Sequence, residues 1–352
     1  MGNAARTLVQ CESGNPVPIN DARPTASETA LQNGAQRSSR IPSVFKGIKR
    51  VEAKTLSNVF SDLHSAAELT LSIMGSDSVH LYSEAMFVVD LYKFLKYRAS
   101  PAWNGQHLPQ GDGERIGILP GFLESHWMMR PIADFLSNIN YDPCFLGPST
   151  NMYRLEDTLR VVGGQIDRYY AETGRKMTLI GQSLGGDEGI LLAQERPHAI
   201  KAVLTYDSPI EYPLAVAKEI AIAAIPIRAA NLIAVGIHES RKESRRSESG
   251  NPLVIGLNIG SAFIQGTMDA IHSEMEMLRR VNEKPKVTVV AFRGHGGIVA
   301  HESTTNRYVT RNVETEATHI GQLINPDGLE KTAYELARIH GHLKNSRRRD
   351  AA

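Results

Sequence analysis

The sequence predicts an α/β protein: a mostly parallel sheet flanked by helices, with helices ahead of it and a helical insertion inside it. Three observations carry this. Short apolar runs alternate with segments that repeat their apolar residues at helical spacing, the pattern of strands and crossover helices. Glycines crowd one strand-to-helix junction, Gly181-Gln182-Ser183-Leu184-Gly185-Gly186, where a tight turn and a close helix leave no room for side chains. Finally, the 352 residues are 41% hydrophobic and 22% charged, enough to bury a large core as one main domain with additions.

In chain order, residues 1–40 are rich in Asn, Ala, Ser, Pro and Gln and read as a flexible arm. Residues 41–113 read as an N-terminal helical segment and linker. Leu56, Val59, Phe60 and Leu63 form one helical stripe there, and Ala85, Val88, Val89, Tyr92 and Leu95 another. The Pro- and Gly-rich stretch from Pro101 to Gly113 is a connector.

The core is assigned to residues 114–209 and 285–345. Arg115–Leu119 is a buried strand stopped by Pro120-Gly121, Met128–Leu136 a helix, and Tyr141–Leu146 a second strand. Leu155–Tyr170 is a helix, with Leu159, Val162, Ile166 and Tyr170 on one face, and Met177–Ile180 the next strand. Further strands are expected at Ala202–Tyr206, Lys286–Phe292 and Tyr308–Val313, with a closing helix within Ile324–Leu343. Over residues 210–284 the alternation stops. Alanine- and isoleucine-rich segments flank a charged loop from Glu239 to Glu248, and a helix follows near Ala262–Val281. Such an insertion is expected to form a helical cap above the sheet. Residues 346–352 are a basic flexible tail.

Lys plus Arg (39) and Asp plus Glu (38) nearly cancel, so nothing draws the whole chain to nucleic acid or an anionic membrane. The arginine-rich stretches lack the interleaved aromatics of a nucleic-acid site, and no nucleic-acid partner is expected. The apolar Ala215–Ile237 segment carries Lys218, Glu219, Pro226 and Arg228, which suits a packed cap better than stable membrane insertion. The only cysteines, Cys11 and Cys144, cannot build a disulfide framework, and no apolar signal core follows Met1. A cytoplasmic location is the expectation. Arg6 stands where a myristoylation signal needs Ser or Thr. The sequence does not specify an oligomeric state.

The chemistry-bearing residues start with Ser183. A serine hydroxyl attacks only when a base takes its proton, and histidine is the usual base. Of the 12 histidines, His319 stands in the best context: after the last expected strand, before the closing helix, and later in the chain than the serine. His295 and His301 sit among glycines with only Glu302 beside them, which does not make a metal site. No metal and no cofactor are expected.

Leu119-Pro120-Gly121-Phe122-Leu123, the Gly181–Gly186 segment, Leu204-Thr205-Tyr206-Asp207-Ser208-Pro209 and Thr318-His319-Ile320-Gly321 resemble successive motifs of the α/β-hydrolase superfamily. They resemble in particular a bacterial lipase- and esterase-like group with N-terminal helices, in which Leu108–Gly113 would match the loop leading into the first strand. The resemblance runs from about Phe87 to Leu343. It implies the α/β-hydrolase fold, a Ser–His–acid triad, an oxyanion hole and acyl transfer without a metal. Ser183 and His319 would be catalytic, and the main-chain N–H groups of Phe122 and Leu184 would hold the oxyanion. Pro120 replaces the histidine common in lipases.

The acid departs from the pattern. The segment that normally carries it reads Phe292-Arg293-Gly294-His295-Gly296-Gly297-Ile298-Val299, with Gly296 at the aspartate position. Asp207, at the end of the preceding strand, is the expected replacement. Its alternative role is a turn residue before Ser208-Pro209. Glu302 is the reserve, and Asp187, on the helix behind the serine, is less favoured. Ser125, His126 and His295 are candidates to face a substrate, Ser125 equally a helix N-cap.

The expected activity is hydrolysis of a small-molecule carboxylic ester with an apolar acyl group. Acyl transfer to another acceptor, and a non-catalytic binding protein on the same fold, are the alternatives.

Overall fold

The structure, a computed structural model, describes residues 86–211, 218–246, 252–295, 297–299 and 301–343. The N-terminal arm, the Leu56–Leu63 stripe, Gly296 and the basic tail lie outside them. Six strands form one parallel sheet in the order β2-β1-β3-β4-β5-β6: β1 Arg115–Leu119, β2 Asp142–Phe145, β3 Met177–Gln182, β4 Ile200–Tyr206, β5 Thr288–Arg293 and β6 Arg311–Glu314. Seven helices longer than one turn accompany them among the described residues: α1 Phe87–Arg98, α2 Arg130–Asn138, α3 Leu155–Thr173, α4 Leu184–Glu195, α5 Lys218–Arg246, α6 Pro252–Arg280 and α7 Pro326–His340.

Side chains alternate across the strands and feed two cores. Ile116, Ile118, Ile180, Leu204 and Val290 pack on one face against Phe94 of α1, Ile132 and Phe135 of α2, and Leu329 and Leu336 of α7. Leu179, Val203, Val289 and Ala291 pack on the other against Leu159, Val162 and Ile166 of α3, Ile190 of α4 and Leu278 of α6. With both faces covered, the strands read as continuous apolar runs, which is why they were legible. Each fully buried Leu or Ile contributes roughly 1.5–3 kcal/mol.

Helix α1 corrects the expected stripe. Its buried residues are Asp90, Phe94 and Tyr97, while Val89, Tyr92 and Leu95 are 38–48% exposed. Phe94 and Tyr97 pack edge-on against Trp103, and Asp90 takes three hydrogen bonds described below. Aromatic packing and polar satisfaction override the simple apolar count.

The expected charged loop after Glu239 is also corrected: α5 continues through it to Arg246. Lys and Arg are good helix formers, and Lys242 donates to Glu239 one turn back at 2.7 Å. Helix α2 begins at Arg130 with Met129 as its N-cap, so Ser125 is not a cap. Ser125 instead bridges Thr150, and its carbonyl accepts Met128 N–H in a turn.

Helices α5 and α6, 29 residues each, fill the gap between β4 and β5 that the sequence marked as an insertion. Asn231 of α5 donates to Met152 O at 2.9 Å, and the end of α6 is tied to α4 by Gln194 donating to Arg280 O at 2.7 Å. No described helix is long and apolar enough to cross a membrane. Cys144, on β2, is fully buried.

Candidate active site

Ser183 joins β3 to α4 with φ 50° and ψ −125°, a backbone conformation that costs an L-residue on the order of 1–3 kcal/mol. Two hydrogen bonds impose it. Ser183 N–H donates to Tyr206 O at 2.8 Å, and Gly186 N–H donates to Ser183 O at 2.9 Å. The flanking glycines are required by space. A Cβ on Gly181 would overlap the Gly185 carbonyl, one on Gly185 the Leu119 and Pro120 carbonyls, and one on Gly186 the Ser208 hydroxyl. This is a strand–turn–helix elbow.

Asp207 follows β4, also at positive φ (45°). Its side chain is 3% exposed and that of His319 4%, and His319 Nδ1 lies 3.8 Å from Asp207 Oδ2. The carboxylate accepts Gly294 N–H on Oδ1 at 2.7 Å and the Gln322 amide on Oδ2 at 2.9 Å. Gln322 is itself held by Thr315, whose hydroxyl donates to its Oε1 at 3.0 Å. Burial pushes the His319 imidazole down to about 4, so the ring is neutral at pH 7, the form a base requires. Gln182, the residue before Ser183, donates to His319 O at 2.8 Å, fastening the histidine's loop to the serine's strand.

The loop after β1 closes on the same place. A Cβ on Gly121 would stand 3.1 Å from Ser183 Cβ and 2.9 Å from Glu124 Oε2, so carboxyl and serine are no more than about 6 Å apart. Glu124 accepts Gly121 N–H at 2.7 Å, and burial raises its carboxyl to about 7. Asn151 clamps the loop: its amide donates to Pro120 O at 2.9 Å, its carbonyl accepts Leu123 N–H, and its N–H donates to Glu124 O. The same amide reaches Glu188 of α4 at 3.0 Å, connecting loop and elbow helix. Phe122 pairs with Asn151 in an isolated bridge. Leu184 opens α4, where a helical N–H has no partner within its own helix.

The remaining candidates make other contacts. His126 stacks on Phe145 at 4.9 Å, with Nε2 3.2 Å from Leu146 O, and burial lowers its pKa. It packs on the end of β2. His295 is exposed, its N–H bonded to Ala317 O. Glu302 is exposed on a short 3-10 helix, and Asp187 is fully buried on α4, burial and neighbouring Glu188 raising its carboxyl well above the usual range.

Sequence reasoning passed over Glu124, Asn151, Gln182, Gln322 and Asp90. Asp90 Oδ2 accepts Thr318 N–H and hydroxyl, each at 2.9 Å, and its Oδ1 accepts the Asn325 amide at 2.8 Å, holding the His319 loop from α1. Only Glu124 left a local signal, three residues after Gly121 as a side chain returning to its own turn. The others each have a partner well over twenty positions away in the chain, up to 235 for Asp90 and Asn325.

No protein-family model matches the chain, and no curated protein sequence does. Among solved structures, it is similar to a 2-hydroxy-6-oxo-6-phenylhexa-2,4-dienoate hydrolase from Rhodococcus sp. strain RHA1, with 19% identity and TM-score 0.42 over 64% of this chain and 90% of that one. It is similar to an enol-lactonase from Burkholderia xenovorans LB400, with 17% identity and TM-score 0.40 over 65% and 92%. An α/β-hydrolase fold protein from Nakamurella multipartita matches at 12% identity and TM-score 0.38, over 65% and 92%. These likenesses assign no residue a role. The parallel six-stranded sheet flanked by helices is the α/β-hydrolase architecture on its own topology.

Proposed function

We propose that this chain is a serine hydrolase of the lipase- and esterase-like kind, cleaving carboxylic esters through an acyl-serine intermediate. The observation that supports this most is the buried Asp207–His319 pair, with its loop tied through Gln182 to the strained elbow at Ser183. Ser183 Oγ attacks the ester carbonyl while neutral His319 takes its proton. The imidazolium so formed draws toward Asp207, closing the 3.8 Å gap to a charge-assisted hydrogen bond. The N–H groups of Leu184 and Phe122 hold the oxyanion. His319 then returns the proton to the leaving alcohol and activates water against the acyl-enzyme.

Helices α5 and α6 serve as the cap. Leu123, Trp127, Met128 and Met152 are 38–64% exposed on the loops that α5 reaches through Asn231, so the rim is apolar. That favours a hydrophobic acyl group. Ser125 borders the same loop.

A p-nitrophenyl ester chain-length panel on wild type and Ser183→Ala, with fluorophosphonate labelling, tests the reading. Wild type should hydrolyse and become labelled at Ser183, and the variant should do neither. A correctly folded wild type that is neither labelled nor active overturns it.

A further inference from the structure

The opposite edge of the sheet has a chemistry of its own. Four consecutive strands, β1, β3, β4 and β5, carry a basic residue close to their starts: Arg115, Lys176, Lys201 and Lys286. At the ordinary strand spacing of about 4.8 Å this makes a row of cations roughly 14 Å long. Arg175 and Lys284 add two more charges beside it. Two cavities open along the row, of about 390 Å³ and about 590 Å³, and they share Lys176 and Lys201 in their walls.

The charge is not neutralised by neighbours. Arg115 pairs with Asp142 at 2.9 Å, but no described carboxylate pairs with Arg175, Lys176, Lys201, Lys284 or Lys286. Glu114 is the one acid in either wall, and it is engaged by Asp112 N–H and His342. His340, also in the wall, has its Nδ1 3.3 Å from Lys201 Nζ, and burial and Lys201 push its pKa down to about 4. The positive charge of the wall therefore comes from its Lys and Arg side chains. Thr288, Thr310 and Tyr308 line the second cavity, adding hydroxyl donors suited to phosphoryl oxygens.

Five unpaired cations on one edge of a chain whose net charge is +1 are a local concentration, not a global property. A concave, linear, donor-rich wall fits a short chain of phosphoryl groups better than a flat lipid surface. We propose that this edge is a binding site for a triphosphate group, free or carried on a nucleoside. It lies on the far side of the sheet from Ser183 and is independent of the ester chemistry.

Isothermal titration of the full chain with inorganic triphosphate and with a nucleoside triphosphate, at low and at physiological salt, tests this. Saturable one-to-one binding of either compound is expected, weakening several-fold as salt rises. Tighter binding of the nucleotide would place the base against Tyr169 or Tyr308, and equal binding would mean that phosphates alone are read. Lys284→Glu/Lys286→Glu, which removes no described hydrogen bond, should weaken binding at least tenfold. Lys176→Glu/Lys201→Glu should do the same, and Lys242→Glu on α5 should leave it unchanged. Ester hydrolysis should be unaffected in all three variants. Absence of saturable binding below about 1 mM, retained binding in both double variants, or preference for a single-stranded oligonucleotide over triphosphate would overturn the proposal.

Discussion

Replacing Asp207 with Asn changes one atom and sets two donors against it. The carboxylate now accepts from Gly294 N–H on Oδ1 and from the Gln322 amide on Oδ2, and both donors are buried. Asn keeps a single acceptor oxygen. The Gly294 N–H is fixed in the main chain and will claim that oxygen, leaving the new NH₂ group facing Gln322 and His319. A donor facing His319 Nδ1 selects the tautomer whose proton sits on Nε2, which cannot accept from the serine. The expected loss in kcat is ~10³–10⁴-fold, or about 4–5.5 kcal/mol of activation free energy. The mismatched amide should also cost about 1–3 kcal/mol of stability. Hydrolysis of p-nitrophenyl butyrate and denaturant unfolding measure the two effects separately. Glu302→Gln, at an exposed site, should leave both unchanged. A folded Asp207→Asn enzyme within threefold of wild-type activity would refute the assignment of this carboxylate.

Other outcomes follow from the same geometry. Ser183→Gly should raise the melting temperature while abolishing labelling, because glycine relieves the φ 50° turn, a gain of about 1 kcal/mol. Gly185→Ala should fail to reach the native state at all, as judged by circular dichroism, since its Cβ would overlap main-chain carbonyls that cannot turn aside. Two of the shifted groups, His319 and Glu124, act on stability with opposite signs. His319 titrates at about 4 in the fold against an ordinary ~6.5, so the unfolded chain binds the extra proton. Stability should therefore fall as pH drops from 6.5 towards 4. Glu124, raised to about 7, makes the fold lose stability as pH rises from 4.5 through 7. Glu124→Gln should remove that second slope in guanidinium titrations at pH 5 and pH 8.

The sheet was legible because every inner strand is buried on both faces, leaving uninterrupted apolar runs between turn residues. Ser183 was legible because its elbow is local: two glycines and a strand within six residues. The approach of Asp207 to His319 could be anticipated only from the missing carboxylate at Gly296 and the aspartate that ends the preceding strand. What sequence could not show are contacts with no local trace. Asp90 sits on a helix whose apolar stripe points outward, and its three donors lie more than 220 residues away. The path of α5 through Glu239–Arg246 is hidden because a run of Glu, Lys and Arg suits a solvated loop and an exposed helical turn equally.

Asp90 has a consequence for how the protein comes into being. Its carboxylate waits for Thr318 and Asn325, which leave the ribosome only after more than two hundred further residues. The serine's turn can therefore form during synthesis well before the imidazole is docked, and a half-made chain would carry a nucleophile without its base. Replacing Asp90 with Ala would leave Phe94 and Tyr97 in the core and still unfasten the loop that carries the imidazole. Such a variant should retain its secondary structure and lose turnover, as expected if a carboxylate ahead of β1 holds the proposed base in place.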